Sequence, residues 1–484
     1  MTEQTASTFT GAVPVPPARL EPDAIGVAQD TVIGMASAAP GVSVGLTLAG
    51  LAAVSAYGSG PVIILTAIPM LIIANAYRRL NMWNANCGAS FEWVGRAINP
   101  YLGFLTGWLM IAAYITGAVS GVEVIGPNVL TVFGSNSSAA WADIGIATVI
   151  TLVMLVIAII GIRITARTQV GMAAIEYAIL IGFAIAGLVA VLGHHHGTFP
   201  ITKGWFSLSG IGGRGSLAGG LLAAVYIFSG WEGTLYVNEE VKHRRINPGR
   251  AAILAVLILT VIYTLTIVGL QGVLSPAKLA AAGKNGTALV SVAQALGGPN
   301  WAKVMALGLT LSVIAATGTS IVLTARIIYG MASYRTLPDF LSNVSRRYAT
   351  PVNASIVVGV LVIVVTWIYL LVTSVQGAFN AIVDVSGLLF GLFYILTALA
   401  TIVYYRRRVF TNAWDAVILG ILPLAAAGFL GWVVFKSTDV AGAASLNWSL
   451  LGTIVVGLGL MFVARFGLRS PFFQIARESE PRRS

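Results

Sequence analysis

The sequence predicts an all-α membrane protein. Twelve transmembrane helices are expected, arranged as a five-plus-five inverted repeat with two extra C-terminal helices. Three observations carry that expectation. Of 484 residues, 57% are hydrophobic and 9% are charged, and the mean hydropathy is +0.88; a soluble protein carries about 25% charged residues. Apolar runs of about 20 residues, long enough for a hydrocarbon core of about 30 Å, recur along the chain. Two of those runs are interrupted by Pro or Gly, one at the start of each half.

Residues 1–25 are polar, Pro-rich and poor in charge. They read as a disordered cytoplasmic tail and lack the basic-then-apolar pattern of a signal peptide. Spans are expected near 27–53, 58–78, 101–129, 142–162, 170–192, 216–240, 250–274, 302–328, 352–373, 378–404, 414–435 and 447–466. The first ten build a core over 26–410, with two further spans in 411–466 and a cytoplasmic C-terminal tail at 467–484. Five spans are an odd number, so the second half enters from the opposite side and the repeat is inverted. Between spans, 82–98 reads as a short interfacial helix and 275–300 as an outer, helical lid.

The net charge is +11. With the N-terminus inside, 22 of the 28 Lys and Arg fall on the cytoplasmic side and 6 outside. This is the positive-inside pattern of a multi-pass protein of the cytoplasmic membrane, with an attraction to anionic lipid. The basic residues form no separate domain, so nucleic acid is not expected as a partner. The single Cys87 excludes an internal disulfide. The adjacent His194, His195 and His196 do not make a metal site, and no cofactor motif or catalytic constellation is present.

The first interruption is Ala38-Ala39-Pro40-Gly41 and the second is Ser229-Gly230-Trp231-Glu232-Gly233. Pro removes a donor and Gly weakens a helix, so both segments can unwind. Unwound backbone at membrane depth is tolerated only where it is buried in protein or lines a cavity. A pair of such breaks in matching halves points to the substrate site of a secondary transporter. Ala38, Ala39, Pro40, Gly41, Phe228, Ser229, Gly230 and Trp231 are therefore the candidate substrate contacts.

Three runs resemble the amino acid–polyamine–organocation superfamily: FSGWEGTLYVNEEVKHRRINPGR, NCGASFEWVGRAINPYLGFLTGW (86–108) and ARIIYGMASYRTLPDFLSNVSRRYATPVNA (325–354). They occur in the family's order. The resemblance implies a leucine-transporter-like fold and uptake of an amino acid, amine or polyamine. The chain departs from the amino-acid antiporters at the first break. Those relatives carry Gly-rich sequence whose amides hold a carboxylate, whereas Pro40 has no N–H to donate.

Acids inside spans require a reason, because each costs about 2.5–3.5 kcal/mol even on lenient scales. Glu176 occupies a place where the resemblance implies a cation-replacing lysine in proton-coupled relatives. Desolvation favours the neutral form of a buried carboxyl, which suits proton coupling. The alternative is a protonated Glu bonded to backbone. Thr319, Ser320 and Thr324 are the expected neighbouring oxygens, a set that would also suit sodium. Glu232 follows the second break and reads as a helix cap or gate support, or as a partner for a substrate ammonium. Phe228 and Trp231 read as an aromatic lid or as packing. Glu123 and Asp384 form an acidic entrance or are structural. Asp30 reads as an N-cap. Glu239 and Glu240 are expected to form a cytoplasmic gate with Arg244, Arg245 and the other inner-loop arginines, or to be solvated.

The favoured reading is a proton-coupled importer of an amino acid or related amine working by alternating access. A polyamine importer and a sodium-coupled permease are alternatives. A non-transporting sensor or scaffold on the same fold is the alternative from another class.

Overall fold

The computed structural model describes residues 19–55, 58–134, 140–207, 214–284, 286–372, 375–439 and 444–480. The described residues are almost entirely helical. Helix α1 covers Val27–Ser37 and α2 Pro40–Ser55. They are followed by α3 (Ser59–Trp83), α4 (Ser90–Ala97), α5 (Pro100–Glu123), α6 (Ile125–Val132), α7 (Ala140–Ile160) and α8 (Ile162–Leu192). After α9 (Arg214–Phe228) come α10 (Asn247–Leu270), α11 (Pro276–Lys284), α12 (Ala288–Gly297), α13 (Pro299–Ala332), α14 (Val352–Val372) and α15 (Val375–Tyr404). Two last spans, α16 (Ala413–Thr438) and α17 (Leu446–Gly467), complete the chain.

Among the described residues, ten helices are long and apolar enough to cross a membrane. The pair α1 and α2, bent by 43° at the first break, passes the same test together. The protein is therefore a multi-pass membrane protein. Helix α13 is its axis: 83% of its apolar window is buried, against 11% for α17, which lies at the rim. Around α13 pack α5, α7, α8 and α14, while α3 packs on α10 and α15 on α5. Apolar residues face outward from many of these helices, as lipid requires and water would penalise.

Four local features differ from the sequence-based expectation. The second half of the sixth span is not an α-helix. It is two 3₁₀ turns, Trp231–Leu235 and Asn238–Glu240, in a stretch that begins at Gly230, which takes a left-handed φ of 110°. Helix α8 starts at Ile162, earlier than the expected 170, so Glu176 sits near the middle of 31 residues rather than close to one end. Helix α4 is buried rather than interfacial: Phe91, Trp93 and Val94 are inaccessible, and Phe472 from the C-terminal segment stacks on Phe91 at 4.1 Å. Residues 1–18 of the expected tail lie outside the described residues, but its last part is anchored. Ile25 is inaccessible and pairs with Val241 through Ile25 N–H to Glu240 O (3.1 Å) and Lys242 N–H to Ile25 O (3.0 Å).

Candidate functional site

At the first break, α1 ends on Ala38, and Ala39 takes the left-handed region with φ 45°. Pro40 then opens α2, where its fixed φ and missing N–H cost nothing. The next amide, Gly41 N–H, has no acceptor within its own helix. It donates instead to Glu176 Oε1 on α8 (2.8 Å) and to Ser312 Oγ on α13 (3.1 Å). Ser312 also hydrogen-bonds Glu176. A carboxylate placed at the positive end of a helix is favourable, and here a distant helix supplies it. Glu176 Oε2 is buried and has no partner among the described residues.

The second break is held differently. Glu232 is inaccessible and accepts three hydrogen bonds: from Tyr114 OH (2.7 Å), Tyr394 OH (2.6 Å) and the Gly230 N–H two residues before it (2.9 Å). The two breaks touch. A Cβ added at Gly230 would stand 2.7 Å from both Ala38 N and Ser37 C, so only glycine lets the backbones cross there.

A small cavity of about 40 Å³ opens beside this crossing. Ser37–Ala39 and Val42–Ser43 line it from the first break. Tyr114, Gly117, Ala118 and Gly121 on α5, Tyr226 on α9 with Ser229 just after it, Ala316, Thr317 and Ser320 on α13, and Phe390 on α15 complete the wall.

Several expected contacts fall elsewhere. Pro40 and Gly41 stand behind the cavity, on the Glu176 side, and Gly230 faces Ser37 and Ala38. Phe228 packs edge-on against Tyr263 (5.3 Å), and Trp231 stacks on Tyr394 (5.6 Å), both outside the lining. The aromatic wall is instead Tyr114, Tyr226 and Phe390, three rings in apolar runs with no sequence signal to single them out. Of the α13 hydroxyls expected beside Glu176, Ser320 lines the cavity, Thr319 donates to Ala315 O and Ala316 O (both 3.0 Å), and Thr324 Oγ1 is buried without a partner among the described residues. Ser312, on the same helix, takes their place. Asp384 is exposed on α15, away from the cavity. The side chain of Glu123 lies outside the described residues. Asp30 is not the N-cap of α1: Gly26 is, with Gln29 Oε1 accepting its N–H (3.1 Å), and the Asp30 carboxylate is buried with neither oxygen partnered among the described residues.

Glu239 and Glu240 also find other partners than those expected. Arg244 and Arg245 are exposed. Glu240 forms a fully buried, two-pronged pair with Arg326 of α13, with Nη2 donating to Oε1 at 2.8 Å and Nε to Oε2. Glu239 accepts the Cys87 N–H (3.1 Å). Burial, with Glu239 beside it, pushes the Cys87 thiol up, so it stays protonated and unreactive.

The model of the amino acid permease family matches residues 29–461. An uncharacterized transporter of Mycobacterium tuberculosis (strain H37Rv) is 29% identical over 272 residues, which is 54% of this chain and 53% of the relative. The matched part thus spans about half the length of that relative. An arginine/ornithine antiporter of Lactococcus lactis is 20% identical over 422 residues, covering 80% of this chain and 84% of the antiporter. The Asc-type amino acid transporter 1 of Mus musculus is 31% identical over 143 residues, 30% of this chain and 26% of that protein.

Proposed function

The chain belongs to the amino acid permease family, within the amino acid–polyamine–organocation superfamily, and from that premise we propose that it is a secondary active importer of an amino acid or related amine. It works by alternating access in the cytoplasmic membrane, with both termini inside. The α9 segment with its 3₁₀ turns counts as the sixth of twelve spans, and the two breaks mark corresponding points of an inverted five-plus-five repeat. Substrate binds where the breaks cross. Ala38, Ala39 and Ser229 meet it directly, and Pro40, Gly41, Gly230 and Trp231 hold the unwound backbone in place.

One observation carries the coupling: a buried carboxyl on α8 accepts the first free amide of α2. Ionised, Glu176 holds α2 against α8 and α13. Protonated, it is a weaker acceptor, and α2 is freer to pivot. Oε2, without a partner among the described residues, is the atom that takes the proton. Proton binding and hinge position are thereby one linked equilibrium. The Ile25–Val241 bridge ties the start of α1 to the segment after α9, the Glu240–Arg326 pair ties that segment to α13, and both open when α1 and α9 move.

The test is uptake into proteoliposomes under an imposed gradient of one ion at a time. Accumulation driven by an inward proton gradient supports the reading. Accumulation driven only by sodium transfers the Glu176 and Ser312 oxygens to a sodium site. No accumulation of any amino acid or amine under either gradient supports the non-transporting alternative.

A further inference from the structure

The C-terminal end of α3 gathers a cluster of cations that the transport reading does not use. Helix α3 runs between α10 and α16, which both pack on it, and its last turns carry Arg78 and Arg79. The Arg78 stem lies on the first turn of α10, so close that a Cβ on Gly249 would collide with Arg78 Cγ. Arg250 is the next residue, and it and Arg79 act on Arg78 as like charges. Tyr405 OH donates to Arg79 O (2.9 Å), which brings the end of α15, with Arg406 and Arg407, to the same edge. Asn81 Nδ2 donates to Arg244 O (2.8 Å) and Arg245 O (3.2 Å), which adds the loop before α10.

Counter-charge is scarce there. Asp415 and Glu480 lie at this edge, but both are bound by Arg408, at 2.8 and 3.5 Å. Among the described residues, no ion pair is made by Arg78, Arg79, Arg250, Arg406 or Arg407. Arg79 Nε is buried with no partner among the described residues. Gathered like charges repel, and a buried guanidinium N–H without an acceptor is costly. The arrangement calls for an anion.

We infer that this cluster binds the headgroup of an anionic phospholipid in the cytoplasmic leaflet. The inference rests on the orientation proposed above, with the N-terminus inside, and not on transport. Two observations favour lipid over a soluble phosphate. Ile68, Arg79 and Met82, at spacings of eleven and three, share one stripe of α3, and Ile64, Ile68 and Met82 are exposed. Arg79 thus stands on the face that meets lipid, with the acyl chains lying along Ile64 and Ile68. The second observation is aromatic. Phe410 is 88% exposed and Trp414 71%, shortly after the arginines of α15. Aromatic rings at a membrane interface sit at headgroup level, and basic pockets between helices on the cytoplasmic side take anionic headgroups. A phosphodiester here accepts N–H groups from Arg78 and Arg79 and offsets the repulsion between the ends of α3, α10 and α15.

The test uses full-length protein purified in a neutral detergent and stripped of lipid, to which phosphatidylglycerol or phosphatidylcholine is added. Native mass spectrometry counts bound lipid, and a thermal-shift assay reads its effect, since a ligand of the folded state raises the melting temperature. Phosphatidylglycerol should stay bound and raise the melting temperature, and phosphatidylcholine should do neither at equal concentration. Arg79→Gln/Arg250→Gln should bind phosphatidylglycerol about twentyfold more weakly, at about fivefold per arginine. Its lipid-free melting temperature should be no lower than that of the wild type, because like charges have been removed. Arg406→Gln/Arg407→Gln removes two exposed charges from the same cluster and should also weaken binding; it decides the matter if the first variant fails to fold. Arg346→Gln/Arg347→Gln removes equal charge from the loop before α14, a helix that packs on α5, α7 and α13, and should change the affinity by less than about twofold. Equal retention of the two lipids would overturn the inference. Equal losses in the cluster variants and in Arg346→Gln/Arg347→Gln would do the same, reducing the effect to the general charge of the inner face. A shift from glycerol 3-phosphate as large as that from phosphatidylglycerol would give the cluster to a soluble phosphate instead.

Discussion

Two broken helices cross at the centre of the bundle, and each is steadied by one buried carboxylate, but the two carboxylates are built differently. Glu232 serves the second break from within: its donor amide is two residues away, and both oxygens are engaged by Gly230 N–H, Tyr114 OH and Tyr394 OH. Glu176 serves the first break from another helix, 135 residues away, with Ser312 as a shared acceptor and one oxygen unpartnered among the described residues. A saturated acid is expensive to disturb and fixes structure. An acid with a spare oxygen, reaching across a helix interface, is suited to the proposed link between protonation and movement of the helices it joins. On the proposed mechanism, the second break serves shape and the first is the working hinge.

The comparison can be broken by substitution, starting with the largest expected effect on stability. Glu232→Ala leaves two tyrosine hydroxyls and an amide buried without an acceptor. At about 1–3 kcal/mol for each orphaned group, the variant should lose a large part of its fold stability and elute as aggregate in size-exclusion chromatography. A monodisperse Glu232→Ala protein with native melting temperature would put the two acids on the same footing. Tyr394→Phe removes one of the three donors and should cost about 1–2 kcal/mol, read as a lower melting temperature. Glu176→Gln keeps an oxygen for Gly41 N–H, so its stability should fall by about 1 kcal/mol or less, while gradient-driven uptake disappears. Ser312→Ala removes the shared acceptor but leaves the stronger one. It should change stability by less than about 1 kcal/mol, and should also weaken the dependence of uptake on the proton gradient. Equal loss of stability in Glu176→Gln and Glu232→Ala would erase the distinction between hinge and brace.

Much of the fold was legible because lipid imposes a simple rule: long apolar runs bounded by charge. The expected ninth span, 352–373, coincides with α14 at Val352–Val372, and the expected span 58–78 overlaps all but one residue with Ser59–Trp83. The breaks were legible because Pro40 and Gly230 announce themselves in local chemistry. Tertiary partners were not. Nothing near Glu176 in the chain indicates that it meets Gly41, and the choice of Ser312 over Thr319 depends on how α8 and α13 are placed along each other. Arg326 looked like one more inner basic residue, yet it lies within α13 and neutralises Glu240. Tyr114, Tyr226 and Phe390 carry no pattern apart from their neighbours, so the wall of the cavity had to await the packing. The 3₁₀ geometry after Gly230 was hidden for a related reason: Trp231–Leu235 has no local helix breaker apart from Gly233, and its winding is fixed by the Glu232 contacts and the approach of α1.

The most direct test of the hinge assignment compares wild-type and Glu176→Gln protein in proteoliposomes by two assays on the same preparation. One is amino acid accumulation driven by an inward proton gradient, and the other is counterflow exchange with no gradient. The account predicts that Glu176→Gln retains exchange, because the cavity and both breaks are intact, and loses accumulation, because the proton has nowhere to bind. Undiminished proton-driven accumulation in Glu176→Gln would contradict it and return Glu176 to a purely structural place beside Glu232.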